Sequence, residues 1–439
     1  MKKFFLFGLL ITTTFFLFFG CKTPEKTKSA AGNELANITA KEVERIEKVL
    51  ASDEMRGRRA FTPDIDKAAD FIASEFKKTG LDTWKNNGSY KQEFSMVRSK
   101  ILNITATIEG IKIEPGNIAI VSCGNDVKVD ESSGYEIVTI KAGGNLFREI
   151  SAFTQPSKNV LVMVDSSYAA NFSRLTSSRR AIFSTDKNSI FMLGNSVPKN
   201  FSIDAKLEIT EQKLANVVGI LPGKSKNDEY VIFSAHYDHI GVGKPVNGDS
   251  IYNGANDDAA GTTAVIMLAK YFKELKNNER TIVFAAFTAE EVGGYGSQYF
   301  SRQFNEDRVM AMFNIEMIGT ESKWGRNSAY ITGYEKTDMG SIMQKNLEGT
   351  EFTFYPDPYP QQQLFYRSDN ATLARLGVPA HTISTAKMDS EPHYHKVTDH
   401  VETLNMDNMA MIIKAIALSS RSIVAGKETP TRVKVEELR

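Results

Sequence analysis

Two periods of apolar and polar positions alternate along the chain, and the changes of period mark its organisation. "KEVERIEKVL" (41–50) and "DIDKAADFIASEFKKTG" (64–80) carry apolar residues at helical spacing and predict two helices, the second entered after Pro63 and closed by Gly80. The stretch between them, "SDEMRGRRAFTP", reads as a polar loop. From about 95 to 205 the texture turns to short β-prone runs, among them "ILNITATI", "YEIVTI" and "NVLVMV", broken by Gly, Asn, Ser and Asp. One plausible helix interrupts them, which predicts a mainly β insert.

After that segment, strands and helices take turns. "NVVGIL" and "EYVIFSAH" read as neighbouring strands around "PGKSKNDE", "DAAGTTAVIMLAKYFKEL" as a helix and "RTIVFAAF" as a strand. "GSQYFSRQF" reads as a helix, "VMAMFNIEMIG" as a strand, "PAHTIS" as another, and "NMDNMAMIIKAIALSSRSIV" as the closing helix. The rhythm predicts an α/β fold with a mostly parallel central sheet flanked by helices on both faces. Ligands of such sheets bind beyond the carboxyl ends of the strands.

Composition adds two constraints. The chain has 439 residues, 41% of them hydrophobic, which is ample for a large core. Lysine plus arginine and aspartate plus glutamate both number 53, so no basic footprint for nucleic acid or polybasic membrane patch exists.

The amino end carries its own signal. "MKKFFLFGLLITTTFFLFFG" (1–20) has a dilysine start and an apolar stretch too short and Thr-interrupted for a spanning helix, the grammar of an export signal. Cys21 follows directly, then a polar run to about residue 39 that reads as a tether. The pattern resembles a bacterial lipoprotein signal with lipid on Cys21, which implies a cell-envelope protein facing the periplasm or cell surface. A Phe, Phe18, stands where leucine is usual. The expected division is therefore signal peptide (1–20), tether (21–39), helical part (40–94), β insert (95–210), main α/β domain (211–425) and polar tail (426–439). Cys123 is the one other cysteine, so a thiolate zinc site is excluded and any metal must be held by histidine and carboxylate.

The candidate chemistry falls on strand ends. "VIFSAHYDH" delivers His236 and Asp238 two apart, hence on one face of an extended chain. "NGANDDAAGTT" supplies Asp257 and Asp258 before a helix, where carboxylates also serve as caps. "FTAEEVGG" brings Glu290 and Glu291, "FNIEMIG" presents Glu316, and "EPHYHKVTDH" clusters His393, Tyr394, His395 and His400. Each motif alone says little. Together they bring two histidines and three carboxylates to converging loops, ligand chemistry for two zinc ions sharing a carboxylate.

The order H-x-D, N-D-D-x-x-G, E-E-x-G, N-x-E-M-x-G and Y-H-x-x-x-D resembles the M28 family of co-catalytic zinc peptidases, mostly aminopeptidases. The resemblance covers roughly 40–90 and 210–425, and extends to "MRGR" (55–58) and "YRSDNATLARLGVPA" (366–380). It implies His236 and Glu316 on one zinc, Glu291 and His395 on the other, and Asp257 as the bridge. Glu290 is then the general base, Asp238 orients His236, and the Tyr394 hydroxyl helps hold an oxyanion. Asp257 and Asp258 match a position where the family has a cis peptide, and Asp369 one where it has a supporting S-D pair. The family usually has aspartate where this chain has Glu316, a change that accompanies carboxypeptidase activity in the related M20 metallopeptidases.

The remaining histidines have no slot in that pattern. His239 and His400 are expected to face solvent or to support ligands, and His381 to be a hydrogen-bonded core residue. The aromatic stretch "EFTFYPDPYPQQQLFYRSD" serves equally well as a substrate pocket or as core. The insert occupies the place of a protease-associated domain in some relatives. Peptide substrates and two zinc ions are the expected partners; the alternatives on the same fold are a one-zinc glutaminyl cyclase, a carboxypeptidase and a non-catalytic binding protein.

Overall fold

The computed structural model describes Met1, residues 35–176 and residues 181–438. The export signal, Cys21 and most of the tether lie outside the described residues. Among those described, no helix is long and apolar enough to cross a membrane.

Helices α1 (Ala40–Leu50) and α2 (Pro63–Thr79) form where the spacing places them. The Thr39 hydroxyl accepts from the Glu42 amide at the start of α1, and Gly80 closes α2 at φ 76°, the left-handed conformation glycine adopts without strain. Ile65, Ala68, Ala69, Ile72 and Phe76 make the buried face of α2.

The strand-rich segment is built on two long antiparallel strands, β1 (Lys91–Ile108) and β7 (Phe201–Leu221), paired from Lys91↔Val217 to Ile108↔Phe201. β1 runs without a break through residue 95. Between them lie β2 (Ile118–Val121), β3 (Asp126–Asp130), β4 (Glu136–Ile140) and β5 (Val160–Val164), with β6 (Ser189–Leu193) following. β3 joins β7, while the other four form a separate sheet ordered β2-β6-β5-β4, parallel across β6, β5 and β4. Helices α3 (Leu146–Ser151) and α4 (Ala169–Thr176) accompany that sheet, so it is a small α/β layer rather than a purely stranded one. Leu161, Met163, Ile190 and Met192 pack from it onto Ile104, Ile203 and Leu207 of the long strands and Val129 of β3.

The remaining elements are β8 (Lys226–His236), α5 (Ala260–Leu275), β9 (Arg280–Phe287), α6 (Tyr295–Ser301) and β10 (Val309–Ile315). β11 (Ser328–Ile331), α7 (Met339–Asn346), β12 (Thr353–Pro356), α8 (Asn370–Ala374), β13 (Ala380–Ser384) and α9 (Met406–Ser419) complete them. The central sheet runs β12-β11-β13-β10-β8-β9-β7-β1. β9, β8, β10 and β13 are mutually parallel, so their carboxyl ends share one edge.

β7 and β8 are therefore not neighbours, contrary to the sequence expectation. β9 inserts between them, antiparallel to β7 and parallel to β8. Alternate residues of β8 serve the two faces: Val231, Phe233 and Ala235 join the core with α1, α2, α5 and α9, and Ile232 joins the core under α6 and α8. Phe233 stacks with Phe272, Phe284 and Phe313, their centroids 5.3, 5.9 and 4.9 Å away, which ties three strands to α5 just below the site.

Candidate metal centre

The loops leaving β8, β9, β10 and β13 and the turn before α5 bring all the predicted ligand residues together. His236 ends β8, Glu290 and Glu291 follow β9, Glu316 follows β10, and His395 stands in the loop after β13. The peptide bond between Asp257 and Asp258 is cis, as the resemblance implied.

Donor atoms fall into two groups that share Asp257. One ligand atom from each of His236, Asp257 and Glu316 lies within 4.8 Å of the others. His236 Nε2 is 3.3 Å from Asp257 Oδ1. On the other side, His395 Nε2 lies 3.1 Å from Asp257 Oδ2 and 3.2 Å from Glu291 Oε2. A tetrahedral centre with bonds of about 2.0–2.1 Å separates its ligand atoms by about 3.3 Å, so these spacings suit an ion. The buried Asp257 Oδ2 has no hydrogen-bond donor, as expected of an oxygen reserved for a cation. Glu316 reaches the first group, and its longer arm does not take it out of range.

The surroundings fix these groups. Asp399, the final aspartate of "KVTD", accepts the Asn256 amide at 2.9 Å and the Asp257 amide at 3.1 Å, which pins Asp257. Asp258 turns away from the centre, its Oδ1 accepting from Gly261 at 2.9 Å and Met317 at 3.0 Å. Asp238 differs from the expectation in detail. His236 Nδ1 meets the main-chain carbonyl of Asp238 at 3.1 Å, while the carboxylate oxygen stands 3.8 Å off. The carboxylate instead accepts the amides of Glu290 at 3.0 Å and Glu291 at 3.4 Å. A carbonyl partner requires a proton on Nδ1, so Nε2 keeps its lone pair toward Asp257. Asp238 thus orients the imidazole through its backbone and the glutamate pair through its side chain.

Charge follows from burial and neighbours. Burial resists ionisation of Asp257 and Glu291, yet His236 and His395 hold the Asp257 carboxyl below its ordinary range, and His239 and His395 hold Glu291 down at about 2 against the pull of Asp257. Burial pushes Asp238 and Glu316 up to about 7, with His236 opposing. Glu290 is raised well above a normal glutamate, by burial first and then by Asp369, Glu316 and Glu291.

Other candidates resolve differently. His381 is a core residue as expected, with Nδ1 2.9 Å from the Thr332 carbonyl and Nε2 2.7 Å from the Thr337 hydroxyl. His393 pairs with the Thr398 hydroxyl and His400 with Asp249, and neither joins the cluster. Asp369 is buried beside the site with no hydrogen bond to either oxygen. His239 does not face solvent: it is 1% exposed, and Nδ1 lies 2.9 Å from Glu291 Oε1. The sequence signal for it was its place in "HYDH", one step past two site residues.

Arg58 was hidden in the supposed polar loop. That segment is a short 3-10 turn, Asp53–Arg58, with Met55, Gly57 and Arg58 buried. The Arg58 guanidinium donates to the carbonyls of Tyr237, Leu50, Asn253 and Gly254, clasping the two segments that carry His236 and Asp257.

A small cleft opens beside Glu316. Tyr394 lines it and stacks on His395 at 4.0 Å, opposite Tyr330, Leu364 and Met388. Part of the aromatic stretch 352–366 therefore borders the cleft, while Phe352 and Phe354 are core.

A mixed sheet whose four adjacent parallel strands gather imidazole and carboxylate groups at their carboxyl ends defines the class: an α/β scaffold with a candidate metal centre at its strand ends. Residues 216–419 match peptidase family M28. Among curated relatives, a probable leucine aminopeptidase of Trichophyton verrucosum is 29% identical over 204 residues, 44% of this chain and 53% of that protein. The chain thus aligns with about half the length of such relatives. Aminopeptidase YwaD of Bacillus subtilis is 21% identical over 413 residues, 87% of this chain and 85% of its own. Two solved structures share the fold: an aminopeptidase from Aneurinibacillus sp. strain AM-1 (TM-score 0.54, 17% identity, 93% of this chain and 99% of that one) and the zinc aminopeptidase of Bacillus subtilis (TM-score 0.52, 17% identity, 89% and 97%).

Proposed function

We propose that the protein is a di-zinc exopeptidase that removes amino-terminal residues from peptides. The observation that carries this reading is the pair of donor groups hinged on Asp257, His236 with Glu316 on one side and Glu291 with His239 and His395 on the other, with Glu290 outside both. His236, Glu316 and Asp257 would hold one ion, and Glu291, His395 and Asp257 the other. When bound, the ions would supply Lewis acidity and would lower the pKa of a water toward neutrality. The names of the relatives support the amino-terminal direction, and the presence of five donors supports hydrolysis over a one-zinc cyclase.

The chain's own residues do the rest. Glu290, with its raised pKa, takes the proton of the attacking water as oxygen adds to the scissile carbonyl, then gives it to the departing amine nitrogen as the C–N bond breaks. Asp238 holds the Glu290 and Glu291 amides so that one glutamate faces the cluster and the other stays free. The Tyr394 hydroxyl, on the cleft wall beside Glu316, donates to the carbonyl oxygen as negative charge develops. Side chains of the residue being removed lie in the cleft between Tyr330, Leu364 and Met388. Glu290→Gln tests this division: the variant should keep both zinc ions by elemental analysis and lose activity on aminoacyl reporter substrates by at least about a hundredfold. Loss of zinc would place Glu290 among the ligands and overturn the assignment.

The amino-terminal signal supports export and lipid anchoring at Cys21 in the cell envelope. The tether would then hold the peptidase away from the membrane surface.

A further inference from the structure

We propose that His239 is a fourth protein ligand at the second zinc position, so that the two positions are unequal; the inference rests on the two-zinc reading above. The sequence motif has no slot for this residue, yet the structure builds a place for it. The backbone amide of His239 donates to the Arg58 carbonyl at 3.3 Å, and residues 59 and 239 form a bridge. Gly254, at φ 60°, closes against the ring: a Cβ there would stand 2.5 Å from ring atoms Cγ and Cδ2, so a larger residue would displace the imidazole. The residue is 1% exposed and has no recourse to solvent.

Three buried atoms meet there. His239 Nδ1 lies 2.9 Å from Glu291 Oε1 and 3.9 Å from Asp257 Oδ2, and all three lack a hydrogen-bond partner among the described residues. Buried polar atoms are nearly always satisfied, so three orphans facing one another call for a common partner. Two are carboxylate oxygens, and a neutral imidazole offers the lone pair of the third, so one cation satisfies all of them together. Nε2 is also without a partner and can carry the ring proton, which leaves the Nδ1 lone pair toward the carboxylates. One ligand atom from each of the three residues lies within 4.8 Å of the others.

His395 completes the set from the exposed side, its Nε2 3.2 Å from Glu291 Oε2 and 3.1 Å from Asp257 Oδ2. The donors therefore close a circuit, His239 to Glu291 to His395 to Asp257, with sides of 2.9, 3.2, 3.1 and 3.9 Å. These bracket the separation of about 3.3 Å between ligands of a tetrahedral zinc. The two rings stand edge-on to one another, centroids 5.8 Å apart and planes at 70°. The first position has three residues, His236, Asp257 and Glu316. Four protein ligands mark a closed zinc site, and three mark one that keeps a place for water or substrate. The second position therefore loads first, and the first, beside the cleft that Glu316 and Tyr394 line, is the one open to substrate.

The test is X-ray absorption of the metal-stripped full-length chain given one equivalent of zinc, which counts the imidazoles on the ion. The wild type should show two, from His239 and His395. One imidazole would overturn the inference, because without His239 each position has a single histidine. His239→Asn keeps a polar atom near the place of Nδ1 but exchanges imidazole for an amide, a poor zinc ligand. Competition with a chromophoric chelator should show its tighter zinc weakened by more than about a hundredfold. A loss of about a hundredfold or less, the scale on which partners behind metal ligands act, would overturn ligation. The melting temperature of the stripped variant separates lost ligation from lost fold, and the wild-type imidazole count decides if the variant does not fold. A wild-type chain that never binds a second zinc would instead overturn the two-zinc reading, whatever the imidazole count on the first.

Discussion

Replacing Arg58 with methionine removes a clasp that no other side chain can supply. The buried guanidinium donates through Nε to the Tyr237 carbonyl at 2.8 Å, through Nη1 to Leu50 at 2.6 Å and Asn253 at 2.5 Å, and through Nη2 to Gly254 at 2.8 Å. Bonds from a charged donor contribute about 1.5–3 kcal/mol each, so four of them represent about 6–12 kcal/mol before offsets. The offset is large: burial opposes this charge, with Glu47 and Asp399 compensating in part, and desolvating a cation costs several kcal/mol. The net loss expected for Arg58→Met is about 3–5 kcal/mol, the range for breaking a buried charged partnership. Urea unfolding of the metal-stripped chain, followed by tryptophan fluorescence, measures it. Arg58→Lys should recover only part, because an ammonium cannot reach carbonyls spread over a planar fork. A loss below about 1 kcal/mol for Arg58→Met would refute the clasp, since the four carbonyls would then have other partners at no cost.

His381 gives a pH test away from the metal cluster. Burial depresses its pKa to about 4 from an unfolded value of 6.5, so below pH 6.5 the unfolded chain takes up a proton the folded chain refuses, and stability falls until about pH 4. Going from pH 7.5 to 5, the wild type should lose about 2 kcal/mol more than His381→Gln in urea unfolding, and equal losses would contradict the account. Asp238→Asn should keep zinc yet slow turnover, because the amides of Glu290 and Glu291 lose a charged acceptor; unchanged kcat would remove its positioning role. Cys21→Ser should yield a protein of lower mass that no longer partitions into detergent, and an unchanged partition would end the lipid-anchor proposal.

How much of this was legible depends on the kind of interaction. The strand ends were readable because "VIFSAH", "RTIVFAAF" and "VMAMFNI" are continuous apolar runs, as strands buried on both faces must be, and polar residues just beyond them stand out. Sheet order was less so. β7 and β8 follow one another in the chain, yet backbone pairing lets β9 come between them, and nothing in the side-chain pattern specifies that. Arg58 was illegible because a buried guanidinium looks like a loop charge in sequence; its partners are main-chain carbonyls, which leave no mark on residue identity. His239 was set aside because no motif slot required it, although Gly254, the glycine that makes room for its ring, stands in the "NGANDD" motif. Asp238 was placed correctly beside His236, but the contact runs through its carbonyl, while its carboxylate serves the glutamates.

The central claim is hydrolysis from the amino end by the zinc-loaded chain, and mass spectrometry of a mixed peptide library after incubation tests it most directly. The account predicts stepwise loss of amino-terminal residues that stops on zinc removal, returns on zinc addition and is absent in Glu290→Gln. Residues leaving from the carboxyl end, cyclised amino-terminal glutamine without hydrolysis, or an untouched library at full zinc loading would contradict it.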